Sequence, residues 1–566
     1  MPNEVQSAPW APGDARSAHV DPFGRDALPP RELWPRLDFS AIPELQYADR
    51  VNCAAELLDR TVASGHGDRT VIRFPGGSWT YRELLHTANR IARVLVEDLG
   101  VVAGNRVLLR GPNNPMMAAC WFAVLKVGGV VVCTMPLLRA RELVFTADKA
   151  RIALALTDTR LAAECEDAFA RHADGRERSG ARVVHFGAPE GASNGQSLEQ
   201  LMRDKPTTFE NVDTAADDLA LIAFTSGTTG EGKGTMHFHR DVLAICDCFP
   251  PYVLKANEND VFIGSPPFAF TFGLGGILLF PMRVGATTVL LEQATPPHLI
   301  KGIQDYKATV VFTAPTAYRA MLGMLAQHDV SSLRRCVSAG EALPLATYES
   351  WQTATGLKII DGIGATEMLH IFISASDDDI RPGSTGKVVP GYDARVVDEA
   401  MRDVPAGEIG RLAVRGPTGC RYLHNEERQR AYVADGWNLT GDSYKRDADG
   451  YFWYQARTDD MIISAGYNIS GPEVESVLLE HPAVLECGVV GVPDEERGQI
   501  VKAYVVLRPG PESPHAAAPD TVKLLQDFVK SQIAPYKYPR AIEFLDALPR
   551  TATGKLQRFR LRERAP

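Results

Sequence analysis

Disulfide frameworks, zinc pairs, a basic surplus and an unbroken apolar run are all missing from this chain. Its nine cysteines are scattered and odd in number, which fits a reducing compartment and excludes a stapled secreted scaffold. Cys246 and Cys248 stand one residue apart with no second Cys or His pair at zinc spacing, and read as buried thiols on a helix. A net charge of -10 and a pI near 5.8 argue against a nucleic-acid partner, which leaves a basic footprint. The one membrane-like stretch, Ala118 to Leu138, is interrupted by Lys126 and divided at Gly128-Gly129. Its halves predict a buried helix (Met116 to Val127) and a strand (Val130 to Cys133), with no membrane span. Met1 to Ala18 lacks the apolar core of a signal peptide, and Arg564-Ala565-Pro566 carries no targeting signal, so a cytoplasmic location is expected.

At 566 residues the chain exceeds one hydrophobic core and predicts roughly two to four domains. Residues 1–45 are polar and Pro-rich and read as an extended arm. From there strand-like runs (Arg106–Arg110, Val130–Cys133, Leu219–Phe224, Ala286–Leu291, Thr309–Thr313, Lys358–Ile360) alternate with helix-like ones (Tyr81–Val96, Pro297–Gln304, Pro315–Ala326). That alternation predicts an α/β fold with helices on sheet faces, over residues 46–457. Asp174 to Thr208 is polar and Gly-rich and reads as a surface excursion. The pattern changes again near Arg457-Thr458-Asp459-Asp460. Residues 458–566 mix short strands (Leu485–Val490, Val501–Val506) with helices (Pro472–Glu480, Thr521–Ser531), as a small α+β domain would.

The densest chemical signal is Phe224 to Gly234, FTSGTTGEGKG, which follows the strand-like run. Glycines let a backbone approach a ligand closely, while hydroxyls, amides and an ammonium supply donors, a combination suited to a polyphosphate. Gly227 to Lys233 also fits the first seven positions of a P-loop, but the next residue is Gly234 where that motif needs a hydroxyl for Mg²⁺. Four further segments stand in order behind it. Ser338-Ala339-Gly340-Glu341-Ala342 offers small residues beside which a flat base could slide. Asp361-Gly362-Ile363-Gly364-Ala365-Thr366-Glu367 ends in a hydroxyl and a carboxylate, ligands for phosphate and Mg²⁺. Gly436 to Asp442 sets an acid after a tight turn, and Arg550 to Lys555 presents a lysine on a glycine turn.

Taken in this order, with Trp79 to Leu84 before them and Gly383-Ser384-Thr385-Gly386 between, the segments resemble the adenylate-forming superfamily. That superfamily comprises acyl-CoA synthetases, peptide-synthetase adenylation domains and luciferases. The resemblance covers nearly all the chain after about residue 50. DGIGATEMLHIF, Asp361 to Phe372, is similar to the hallmark of the benzoate-CoA ligase branch. Ser17 to Phe23 and Thr134 to Ala140 look like 2-aminobenzoate-CoA ligases.

The resemblance implies a large N-terminal domain of α/β-layered sheets and a small, mobile α+β C-terminal domain. It implies two half-reactions, adenylation of an aryl carboxylate by ATP and then transfer to coenzyme A. Thr225, Ser226, Gly227, Thr228, Thr229 and Lys233 would contact the β- and γ-phosphates, Thr366 the α-phosphate and Glu367 the Mg²⁺. Asp442 and Arg457 would hold the ribose, while Gly340, Glu341, Ala342 and Asp361, Gly362 and Ile363 frame adenine. Lys555 would bridge the acyl carboxylate and the α-phosphate, with His239 at the carboxylate end of the acid pocket. Phe270, Ala314, Ile363, Gly364 and His370 would line a flat slot for one aromatic ring, although Ala314 could instead open a tunnel for a medium-chain acid. Asp459 falls at the family hinge, which would exchange the Lys555 face for a CoA-facing one with Ser464, Ala465 and Gly466. Two positions depart from the family: Gly232 replaces the usual Pro before the loop lysine, and Ile363 replaces the usual Tyr, as in the benzoate branch. A carrier-protein acceptor remains the alternative to CoA, and a homodimer is compatible with the sequence.

Overall fold

Capping and burial explain why the first elements form where they do. The helix Tyr81–Arg93 begins at Thr80, whose hydroxyl accepts from the Glu83 amide while Glu83 accepts from the Thr80 amide at 2.6 Å. The helix Pro115–Lys126 begins at Asn114, which accepts from the Met117 amide at 2.9 Å, and nearly all of it is buried. Lys126 is buried at its end because Asp59 takes its ammonium at 2.5 and 2.7 Å. The interrupted apolar run is therefore a core helix followed by the strand Val130–Thr134. Among the described residues no helix is long and apolar enough to cross a membrane. The computed structural model describes residues 17–172, 174–187, 197–225, 233–457, 460–464, 467–494, 497–509, 519–533, 535–551 and 554–564.

Two large sheets carry the fold. One has six strands in the order Arg182–Phe186, Leu154–Asp158, Arg106–Arg110, Val130–Thr134, Leu219–Thr225, Lys233–Phe238. All are parallel except the last, which returns antiparallel beside Leu219–Thr225. The other has nine strands with a parallel centre: Ile359–Gly364, Arg335–Ala339, Val310–Thr313, Val261–Gly264, Thr287–Val289 and Thr70–Phe74 lie side by side. Such strands, buried on both faces, read as continuous apolar runs, and this is how the sequence betrays them. An antiparallel sheet built on Ile409–Arg415 and Trp437–Arg446 follows, with Phe452–Arg457 on its edge. A separate core then gathers the strands Val484–Asp494, Gly498–Leu507 and Ala541–Phe544 with the helices Gly471–Glu480 and Pro519–Gln532. The architecture is thus mixed α/β, with a smaller α+β unit after the large sheets.

Three details differ from the sequence reading. The excursion Asp174 to Thr208 contains Arg182–Phe186, an edge strand of the six-stranded sheet, and a capped helix Leu198–Met202. The helix begun at Pro315 stops at Leu322, because Gly323 follows, rather than running to Ala326. In the arm, residues 17–45 are fastened to the sheets: the Ala18 amide donates to Asp218 at 2.9 Å, Arg106 pairs with Asp21 at 2.5 Å, and Phe23, Ile42 and Leu45 are buried. Cys246 and Cys248 lie buried on the helix His239–Phe249.

Candidate functional site

Ligands of open parallel sheets bind beyond the carboxyl ends of the strands, and the candidate residues collect there. Thr225 ends one strand and Lys233 opens the next, with the two in register across the hairpin. Ser226, Gly227, Thr228, Thr229 and Gly232 lie outside the described residues. A strand rather than a helix follows Lys233, so the P-loop alternative fails: a P-loop delivers its phosphate to a helix N-terminus.

On the nine-stranded sheet, Gly340, Glu341 and Ala342 follow Arg335–Ala339, and Asp361, Gly362, Ile363 and Gly364 belong to the neighbouring strand. Ala314 caps the helix after Val310–Thr313, and Phe270 caps the short helix after the loop leaving Val261–Gly264. That loop is tied to the other sheet by Asn113, which donates to the Pro266 carbonyl and accepts from the Phe268 amide at 2.9 Å. Phe268 is core, whereas Phe270 and Phe272 are half-buried. Gly364 is exposed, and a Cβ there would lie 2.7 Å from the His370 carbonyl, so no side chain fits. Asp361 is pushed up to about 7 by burial, and its Oδ1 has no partner. It lines a shallow hollow shared with Tyr348, Arg381 and Ser384.

His370 is enclosed by rings: its centroid lies 4.5 Å from Phe280, 5.8 Å from Phe249 and 5.9 Å from Phe272. Gly275 makes room for it, since a Cβ there would stand 2.4 Å from its Cδ2. Burial lowers the imidazole to about 3, so it is neutral, and the nearby Phe272 backbone opposes this only weakly. Neither ring nitrogen makes a well-formed hydrogen bond. His239 is placed elsewhere. It starts a helix at the far end of the hairpin from Lys233, about 20 Å away at the rise of a strand. There its Nδ1 accepts from the Cys53 amide at 3.2 Å, beside His19 and Asp218. The histidine that does reach the Thr366 turn is His237, whose Nε2 donates to the Thr366 carbonyl at 2.8 Å.

Asp442 and Arg457 sit in register on adjacent antiparallel strands and pair at 3.0 Å. Burial pushes the Asp442 carboxyl up against the pull of Arg457. Lys555 comes from the C-terminal unit into the same cleft, its Cε 3.9 Å from where a Gly340 Cβ would be. Arg550 approaches Glu341 to 3.7 Å beside it. Lys555 is exposed, yet the walls of the cleft strip part of the water from around its ammonium. Desolvation therefore lowers its ammonium below the ordinary 10.5, opposed by Glu341, Asp442 and Glu367 and assisted by Arg457. The structure thus brings Gly340, Glu341, Glu367, Asp442, Arg457 and Lys555 together. Ser464 lies apart, buried with its hydroxyl 3.2 Å from Arg497 Nε, while Asp459, Ala465 and Gly466 are outside the described residues.

The model for AMP-binding enzymes matches residues 59–422, and that for their C-terminal domain matches residues 473–555. A benzoate-CoA ligase of Thauera aromatica is 37% identical over 92% of this chain and 97% of its own length. The chain belongs to the AMP-binding enzymes, in the benzoate-CoA ligase branch of the adenylate-forming superfamily. A 3-hydroxybenzoate-CoA ligase of Aromatoleum sp. (strain CIB) is 33% identical over 91% of the chain and 97% of its own. An anthranilate CoA ligase solved with anthranoyl-AMP superposes with a TM-score of 0.86 at 36% identity, covering 93% of this chain and 99% of that one. A benzoate CoA ligase from Burkholderia xenovorans LB400 gives 0.80 at 34% identity, covering 90% and 100%. This AMP-binding enzyme is an acid-thiol ligase, and enzymes of its kind use ATP and CoA.

The lowered ammonium of Lys555 has a kinetic consequence if it is needed for adenylation. The rate of acid-dependent ATP–pyrophosphate exchange should fall with rising pH at a point below 10.5, and Lys555→Arg should move that alkaline limb upward. A limb left in place by the substitution would dissociate it from Lys555.

Proposed function

We propose that this enzyme joins an aryl carboxylate, 2-aminobenzoate or benzoate, to CoA through an acyl-AMP intermediate. A carboxylate oxygen attacks the ATP α-phosphorus and pyrophosphate departs. The CoA thiolate then attacks the acyl carbon, and its C–O bond to AMP breaks. Neither step needs a protein nucleophile, so positioning and charge carry the catalysis. Lys555 neutralises charge gathering between the carboxylate and the α-phosphate, Thr366 holds that phosphate, and Asp442 and Arg457 take the ribose. Thr225 to Thr229 and Lys233 hold the outer phosphates. Residues 458–566 then turn about Asp459 so that Ser464, Ala465 and Gly466 face CoA.

Glu367 suits Mg²⁺ as a hard-oxygen ligand: it is a half-buried carboxylate whose Oε1 is fixed by Tyr422, on the wall that Lys555 faces. Bound with ATP, the ion would neutralise phosphate charge.

The observation that carries the aryl preference is the ring-lined enclosure of His370 behind Gly364. The half-buried Phe272, 5.9 Å from the imidazole, offers an aromatic face to a flat substrate, and a neutral imidazole short of hydrogen bonds can meet one polar ring substituent. This favours 2-aminobenzoate within the aryl class. Pyrophosphate exchange should be supported by 2-aminobenzoate and benzoate and far less by hexanoate or octanoate. His370→Leu should lower kcat/KM for 2-aminobenzoate by about tenfold, one hydrogen bond's worth, and for benzoate much less. Equal losses on both acids would remove His370 from substituent recognition, and faster exchange with octanoate would establish the medium-chain alternative.

A further inference from the structure

The turn that carries Thr366 and Glu367 is held from three directions by residues that no sequence motif singled out. His237, on the hairpin strand, donates to the Thr366 carbonyl at 2.8 Å. Thr418 donates to the Met368 carbonyl at 2.8 Å. Tyr422 donates its phenol hydrogen to Glu367 Oε1 at 2.6 Å. The turn then passes through Leu369 at φ +69°, a region that a leucine enters only when its surroundings impose it. Held in this way, Thr366 to Met368 form a rigid ledge rather than a loop.

Tyr422 differs from the other two in what it grips. His237 and Thr418 bond backbone carbonyls, whereas Tyr422 bonds the Glu367 carboxylate itself. The tyrosine is itself immobilised. Its backbone bridges Thr235 on the hairpin, its amide donates to Gln429 at 2.9 Å, and its ring meets Tyr432 edge-on at 5.7 Å. It is 1% exposed.

A glutamate's terminal torsion is broad and roughly two-fold, so an unanchored carboxylate samples many directions. We propose that Tyr422 is a positioning residue: by fixing Oε1 of Glu367 it aims the other oxygen at the cation bound with ATP. This rests on the reading of Glu367 as the cation-binding carboxylate. Partners that orient a ligating carboxylate commonly change metal affinity by about tenfold or more when removed.

The test measures binding, not turnover. The affinity of a non-hydrolysable ATP analogue is determined by calorimetry with and without Mg²⁺, and the ratio of the two gives the metal-linked gain. Tyr422→Phe keeps the ring and deletes only the donor, and should shrink that ratio by about tenfold. Glu367→Gln should shrink it at least as much. The double variant should then be no worse than Glu367→Gln alone, since the two residues act as one unit. 3-Fluorotyrosine at position 422 retains the donor and should retain the wild-type ratio, even if Tyr422→Phe folds poorly. A wild-type ratio in Tyr422→Phe, or losses that add in the double variant, would overturn the proposal while leaving Glu367 in its role. A wild-type ratio in Glu367→Gln would overturn the underlying reading of Glu367, and this proposal with it.

Discussion

Replacing Lys555 by alanine is expected to slow acyl-AMP formation by about 10²–10³-fold, the usual cost of losing one preorganised charge-stabilising group. The expectation comes from where the ammonium sits. It enters a cleft walled by Glu341, Glu367 and Asp442, close over Gly340, whose φ of +91° is what calls for a glycine. Held beside these carboxylates, the ammonium is in place to offset charge developing on a phosphorane without reorganising at the moment of reaction. The second half-reaction should be spared. In the proposed scheme the C-terminal unit has turned by then, and the departing AMP already carries its charge on a stable phosphate. Single-turnover thioester formation from supplied 2-aminobenzoyl-AMP should stay within a fewfold of wild type. If both halves fell equally, Lys555 would have a structural role and the two-face scheme would lose its support.

The largest expected stability effect lies beneath the site. Arg421 and Asp241 form an ion pair with neither side chain exposed. Arg421 also donates to the Met236 carbonyl at 3.3 Å and stacks 4.0 Å over the Phe238 ring. Arg421→Met would leave the Asp241 carboxylate buried, with the Phe238 amide at 3.0 Å, His237 Nδ1 at 3.8 Å and Arg240 nearby but no direct ionic partner. Removing one partner of such a pair costs about 3–5 kcal/mol, well above an ordinary surface substitution. Thermal unfolding should shift down by several degrees, and Arg421→Met with Asp241→Leu should recover much of the loss, because an apolar pair needs no desolvation. A single variant as stable as wild type would mean that water already reaches the pair. The pH response has a fixed sign. Burial alone would raise Asp241, but Arg421 and the neighbouring histidine win and hold it below 3.8. Its contribution is therefore present above pH 3.8 and lost as the pH falls through the lower folded value.

How much of this was legible beforehand depends on the distance between cause and effect along the chain. Motifs made of consecutive residues, such as Asp361 to Glu367, announced a strand running into a turn, and the parallel strands announced themselves as apolar runs. The weak edge strand Arg182–Phe186 did not, because an edge strand is only half-covered and its polar neighbours hid its alternation. The histidines show a finer limit. Lys233, Thr235 and His237 share one face of a strand whose side chains alternate, which aims His237 at Thr366. The strand ends at Phe238, so His239 opens a helix and turns toward Cys53 instead. No spacing rule marks that boundary. Tyr422 was invisible for a different reason: its partner Glu367 lies 55 residues away, and only the fold joins them.

The most direct test is AMP release by the purified enzyme with ATP, Mg²⁺ and a panel of acids, with and without CoA. CoA-dependent release that is strongest with 2-aminobenzoate or benzoate and weak with octanoate is the predicted result. Release that ignores CoA, or that is strongest with the aliphatic acid, would contradict the account.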